Sequence, residues 1–174
     1  EHAYELLTEP KLLLEYVYLI THGQMLSERL SEQIRQFSAP DDDSTKAVML
    51  RRAMLAAIAG IPLTVDAMCQ GLSPRQDPQH ILESLIGEYL VIDGEYIYGL
   101  HWVRSRHLVR LLHATYPNAA ATAVNMLSLI AQEHVPVFLA GMCEIPEFDW
   151  QTFMAKILAQ YRSALPIMLV RILE

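Results

Sequence analysis

The stretch YLVIDGEYIYGL, residues 89–100, decides the fold of this chain. It holds two short runs rich in β-branched and aromatic residues, one on each side of Asp93-Gly94, a dipeptide that favours the tight turn of a β-hairpin. Gly99 ends the second run, and the amphipathic run WVRSRHLVRLL begins at Trp102. The sequence therefore predicts a two-stranded hairpin that leads directly into a helix.

The elements upstream of the hairpin are predicted to be short helices. In chain order they are a helix over 45–59 with Met49, Leu50, Met54, Leu55 and Ile58 facing inward, a short extended stretch IPLT, a short helix over 65–72 and a helix from Pro78. Helix, short strand, helix, helix and two-stranded wing is the order of a winged helix. We expect a winged-helix domain over 46–116.

The flanks of this domain are predicted to be helical, so the fold class is mainly α. Residues 1–38 form a helical hairpin whose second helix places Leu26, Leu30, Ile34 and Phe37 in one apolar stripe. The polar segment 39–45 is a linker. Residues 117–174 contain helical pairs and are expected to begin an array of helical repeats.

Composition and charge exclude several classes of protein. Apolar residues make up 52% of the chain and charged residues 19%, so a packed domain is expected rather than a disordered tail. No apolar run is long enough to span a bilayer. Cys69 and Cys143 are isolated, which disfavours zinc and fits a cytoplasmic location. The chain starts without Met inside an apolar helix pattern, so we expect a piece of a longer protein.

A nucleic-acid partner is disfavoured by charge. The formal net charge is −7. The helix over 78–89, in the position of a recognition helix, carries Glu83 and Glu88 but no Lys or Arg, and it offers neither phosphate contacts nor arginine–guanine pairs. A DNA-binding regulator is therefore the least favoured function.

His101 and Arg104 are the candidate ligand contacts at the junction of hairpin and helix. His101 stands where the first N–H groups of a helix have no intrahelical partner, and an imidazole beside such groups suits a phosphate. Arg104 projects on the same side as Leu108, and a buried guanidinium needs an acidic or phosphate partner. The alternative is structural, with His101 capping the helix and Trp102 filling a gap against the wing.

The other basic residues of this helix are expected on a solvated face. Arg106, Arg110 and His113 lie on the side opposite its leucines. We expect no ligand contact from them.

The junction resembles the end of the winged helix in STAND-class P-loop NTPases, which are signal-transducing ATPases. In that family a Met-His-Asp motif ends the wing, and Leu100-His101-Trp102 occupies the matching place, with Trp102 where the family has Asp. The family's small helical domain opens a helix with Gly-x-Pro. Thr8-Glu9-Pro10 is similar to that motif in its proline and lacks the glycine.

The resemblance implies a regulatory lid in bacterial signalling or antiviral defence. His101 would contact the β-phosphate of ADP in the closed state, Pro10 would contact the adenine, and Arg104 would provide a second phosphate or interdomain contact. ADP or ATP with Mg²⁺ would be held by a P-loop domain of the same chain. Opening would permit oligomerisation, and the helical region would bind protein partners.

The sequence has no GxxxxGK[ST] loop and no strand that ends in acidic residues suited to Mg²⁺. We therefore expect no enzyme activity, no catalytic residue and no bound cofactor for this segment alone. The alternative function is a winged-helix and helical protein-interaction module that uses no nucleotide.

Overall fold

The fold is taken from a computed structural model that describes residues 17, 26–37, 45–72, 77–114, 117–146 and 148–160. The chain divides into two compact units, residues 1–42 and 43–174. The boundary falls within the segment predicted as a linker. Helices beyond residue 117 belong to the same unit as the helix that begins at Thr45.

In the first unit the described element is helix α1, Leu26–Phe37. Leu26, Leu30 and Ile34 are buried, whereas Glu28 and Arg29 are exposed. Because residues four apart lie on one face of a helix, these side chains form the predicted apolar stripe. The stripe is confirmed for these three residues.

The second unit combines seven α-helices and three strands among its described residues. They are α2 (Thr45–Ala59), β1 (Leu63–Thr64), α3 (Val65–Cys69), α4 (Pro78–Leu85), β2 (Leu90–Asp93), β3 (Tyr96–Gly99), α5 (Trp102–Leu112), α6 (Ala119–Met126), α7 (Val135–Met142) and α8 (Trp150–Gln160). A 3₁₀ turn, Gln132–His134, precedes α7.

The sheet is antiparallel, in the order β1-β3-β2. In the predicted hairpin, Val91 pairs with Tyr98 and Asp93 pairs with Tyr96. Gly94 has a φ of +62° at the turn, a conformation that glycine adopts without steric penalty. The hairpin is confirmed, and β1 adds a third strand, with Leu63 opposite Ile97. The predicted two-stranded wing is thus part of a three-stranded sheet.

Helix α2 lies at the centre of the second unit, in contact with α4, α5, α6, α7 and β3. Because neighbours surround it, burial extends around the helix and includes Arg51 and Arg52. Met49, Leu50, Met54 and Leu55 are buried as predicted, but Ile58 is half-exposed. The prediction is confirmed for these four residues and wrong for Ile58.

The buried arginines of α2 hydrogen-bond the carboxyl ends of two other helices. Arg51 Nε donates to the carbonyl oxygen of Leu112, at the end of α5, over 2.9 Å. One terminal nitrogen of Arg52 donates to the carbonyls of Ala67, Met68 and Gln70 over 3.3, 2.9 and 2.8 Å. The last carbonyls of a helix have no intrahelical partner, so these cations satisfy groups that burial would otherwise leave unpaired.

Two glycines permit close packing on α2. A methyl group added at Gly99 would lie 2.6 Å from the Cβ of Ala57 and 2.8 Å from the Oγ of Ser105. A methyl group at Gly141, in α7, would lie 2.4 Å from the Cα of Ala59. Both contacts are too short for any larger residue without movement. The end of β3 and helix α7 therefore approach α2 only because these positions are glycine.

Among the described residues, no helix is both long enough and apolar enough to cross a bilayer.

Candidate functional site

The candidate site is the junction between β3 and α5, which we call the His101 corner: Gly99, Leu100, His101, Trp102 and Arg104. The backbone N–H of Leu100 donates to the carbonyl of Tyr89 over 3.3 Å. Gly99 packs on α2, and Ser105 N–H donates to the His101 carbonyl over 2.9 Å. These contacts fix the backbone where the chain changes from strand to helix.

His101 is the N-cap of α5. Its backbone is extended, with φ −161° and ψ 135°, and Val103 N–H donates to its Nδ1 over 3.2 Å. Since Nδ1 accepts a hydrogen bond, the neutral ring carries its proton on Nε2. The side chain is exposed. The predicted capping role is therefore observed, and it leaves Nε2–H as a donor directed away from the cap.

Arg104 lies one helical turn after the cap and is partly buried. The carbon of its guanidinium lies 5.2 Å from the centre of the Tyr89 ring, within cation–π range. Its Nε is buried and has no hydrogen-bond partner in the part of the chain that the structure describes. Tyr89 is itself buried, and burial raises its pKa. An acidic or phosphate partner for Arg104 stays a prediction.

Two other predictions about the corner have different outcomes. Trp102 is 53% exposed, so the expectation that it fills a gap against the wing is wrong. Pro10 lies outside the described residues, and its contact with a base stays a prediction.

His113 is not on a solvated face, contrary to the sequence expectation. It ends α5, where its Nδ1 donates to the carbonyl of Val109 over 2.9 Å and its Nε2 lies 3.1 Å from the hydroxyl of Thr122 in α6. Burial lowers its pKa from 6.5 to about 4, and the charge of Arg51 acts in the same direction. The helical projection missed this because the contact with Thr122 comes from a separate helix, α6.

A cavity of 340 Å³ lies beside His113. Its lining includes Arg110 from α5, Asn118 before α6 and Asp149 before α8. Asn118 accepts from Ala121 N–H and Asp149 accepts from Thr152 N–H, each over 2.9 Å. The hydrogen bond from Thr152 lowers the pKa of Asp149. Asn118 and Asp149 therefore serve as helix caps.

The described residues contain no group of three or more His, Cys, Asp or Glu that is suited to hold a metal ion. The corner instead combines an imidazole N–H and a guanidinium on one turn of helix, an arrangement suited to an anion. The sequence matches no family model, and no curated protein or solved structure matches it.

Proposed function

We propose that the second unit contains a winged helix that acts as the regulatory lid of a STAND-like signalling ATPase in the bacterial cytoplasm. The element order from α2 to α5 and the strand order β1-β3-β2 support this topology. The carrying observation is His101 at the end of the wing: Nδ1 holds the helix cap, and the exposed ring presents Nε2–H to a ligand. In the closed state this N–H donates to the β-phosphate of ADP.

Arg104 supplies the second contact of the proposed lid. It follows His101 by three residues, which places both on one side of the first turn of α5. The Tyr89 ring supports its guanidinium, so a phosphate or an acidic side chain of the P-loop domain can complete the hydrogen bonds of that group. Pro10 is the proposed contact to the adenine. Release of the lid then shifts the population to an open state that oligomerises.

The test uses the full-length protein and compares His101→Ser with His101→Ala. Serine retains an oxygen that accepts from Val103 N–H, whereas alanine removes the cap as well as the imidazole. Loss of one charge-assisted hydrogen bond, about 1.5–3 kcal/mol, should accelerate ADP release at least tenfold in both variants. Only the alanine variant should also lose thermal stability.

An unchanged ADP release rate in His101→Ser, with reduced stability in His101→Ala, would make His101 a helix cap and nothing more. Tyr89→Phe serves as a control at Arg104, because it retains the ring beneath the guanidinium.

The 174-residue chain alone should neither hydrolyse ATP nor bind it more tightly than about 1 mM, since a P-loop provides most phosphate contacts in such enzymes. Micromolar binding by this chain would contradict the lid.

A second candidate is a protein-interaction module that uses no nucleotide. The observation that favours it is the exposure of Trp102 beside two exposed tyrosines of β3. Equal ADP retention by full-length protein with and without the second unit would favour this candidate.

A further inference from the structure

The sheet of the second unit has an outward face that is apolar and aromatic. Strand β3 alternates exposed Tyr96, buried Ile97 and exposed Tyr98, and Val91 of β2 pairs directly with Tyr98. The exposed fractions are 38% for Tyr96, 39% for Tyr98 and 43% for Val91. Since successive side chains of a strand point to opposite sides, these three lie together on the side away from Ile97 and the core.

Two further exposed residues follow this strand in the sequence. Leu100, 37% exposed, follows the end of β3, and Trp102, 53% exposed, opens α5. We call Val91, Tyr96, Tyr98, Leu100 and Trp102 the aromatic face. Tyrosine and tryptophan are the residues that most often supply binding energy at protein interfaces. Single exposed apolar residues are ordinary, but five within twelve positions of the chain are typical of an interaction site.

Carboxylates lie beside the aromatic face at the turn of the hairpin. Asp93 pairs with Tyr96 across the hairpin, and Glu95 at the turn raises the pKa of Tyr96 by its charge and by a hydrogen bond. The charge of Glu133, before α7, also raises this pKa. From Leu90 to Leu100 the chain has two acidic residues, Asp93 and Glu95, and no Lys or Arg. The rim of the face is thus negative at the hairpin turn.

We infer that the aromatic face docks an arginine-rich segment of a partner protein. A guanidinium stacks on aromatic rings and pairs with carboxylates at the same time, so this face matches both properties of arginine. A second copy of this chain would bring an equally acidic rim, and the like charges would repel. A nucleic acid would be repelled for the same reason.

The inference does not rest on the proposed lid, because none of these contacts involves nucleotide. The test follows a fluorescently labelled peptide of alternating arginine and serine by anisotropy as the 174-residue chain is added. We expect saturable binding that weakens about tenfold in Tyr98→Ser and in Trp102→Ala. Both side chains are exposed, so thermal unfolding should be nearly unchanged.

Charge is tested by a matched pair of double variants. Asp93→Asn with Glu95→Gln removes two charges from the rim and retains an Asn-Gly turn, which suits the hairpin equally well. Glu83→Gln with Glu144→Gln removes two exposed charges elsewhere. Only the first pair should weaken binding. Equal weakening by both pairs would show attraction to the net charge alone and would overturn the inference.

A direct reporter comes from the two tryptophans. In Trp150→Phe, Trp102 is the single tryptophan, so its emission should change on peptide binding with the same midpoint as the anisotropy. An unchanged emission together with intact binding in Tyr98→Ser would place the peptide elsewhere. Sedimentation of the chain alone tests whether a second copy of the chain occupies the aromatic face. A dimer that Tyr98→Ser abolishes would show that it does, and would overturn the arginine-rich partner.

Discussion

His113 joins two helices through Thr122: its Nε2 lies 3.1 Å from the Thr122 hydroxyl while its Nδ1 donates to the carbonyl of Val109. A carbonyl oxygen can only accept, so Nδ1 carries the proton and Nε2 of the neutral ring accepts from the hydroxyl. The half-buried imidazole is therefore fully hydrogen-bonded when it is uncharged. Protonation would add a charge to a half-buried ring near Arg51.

This arrangement predicts a loss of stability in acid. The pKa of His113 falls from 6.5 to about 4 on folding, so between these values the unfolded chain binds more protons than the folded chain. The stability is fully present above pH 6.5 and declines as the pH falls towards 4, by about 3 kcal/mol. Denaturant unfolding at several pH values measures it. His113→Asn should flatten this dependence, whereas His80→Asn, at an exposed position of α4, should leave it unchanged.

Alanine substitutions at Gly99 and Gly141 should be compensated to different extents by a second substitution in α2. Gly99→Ala and Gly141→Ala should each lower the free energy of unfolding by about 1–3 kcal/mol through overpacking. Ala57→Gly should recover part of the first loss, because the clash at Gly99 is with the Cβ of Ala57 and a rotatable Ser105 hydroxyl. Ala59→Gly should recover little of the second, since the Cα of Ala59 remains 2.4 Å away.

Double-mutant cycles by chemical denaturation give the coupling energy of each pair. Each cycle includes the single Ala→Gly variant, which by itself destabilises a helix by about 1 kcal/mol. Equal coupling in both pairs would contradict the packing described for α7.

Arg52→Met should destabilise the second unit by about 1–3 kcal/mol. Methionine fills much of the same volume but leaves the carbonyls of Ala67, Met68 and Gln70 without their donor. Arg110→Met, at an exposed position of α5, is the control and should change the free energy of unfolding by less than about 0.5 kcal/mol. Equal effects at both positions would mean that the three hydrogen bonds make no net contribution to the free energy of unfolding.

The chain should not bind random duplex DNA at physiological salt. The helix in the position of a recognition helix, α4, has no Lys or Arg, and the formal net charge is −7. A gel-shift titration checks this expectation. A shifted band at submicromolar protein would restore the DNA-binding interpretation, and Arg106→Gln would then test whether α5 carries the contact.

Part of the candidate site could be predicted from the sequence because its signals are local. The position of His101 follows from where the second β-rich run ends and the amphipathic helix begins. The backbone geometry shows that His101 caps α5, and its contact with a phosphate stays a prediction. The alternation of Tyr96, Ile97 and Tyr98 was visible in the sequence. Which side of the strand is exposed could be seen only in the structure, where α2 contacts β3 and Ile97 is buried.

The sequence by itself determined the hairpin and the helix that follows it, because Asp93-Gly94 selects the turn and residue alternation selects the faces. Only the tertiary structure decided the burial of Arg51 and Arg52, the contact of His113 with Thr122 and the addition of Leu63–Thr64 as a third strand. Those outcomes depend on which elements surround α2. Contacts between residues 15 to 61 positions apart, such as Arg52 with Ala67 and Arg51 with Leu112, leave no local pattern in the sequence.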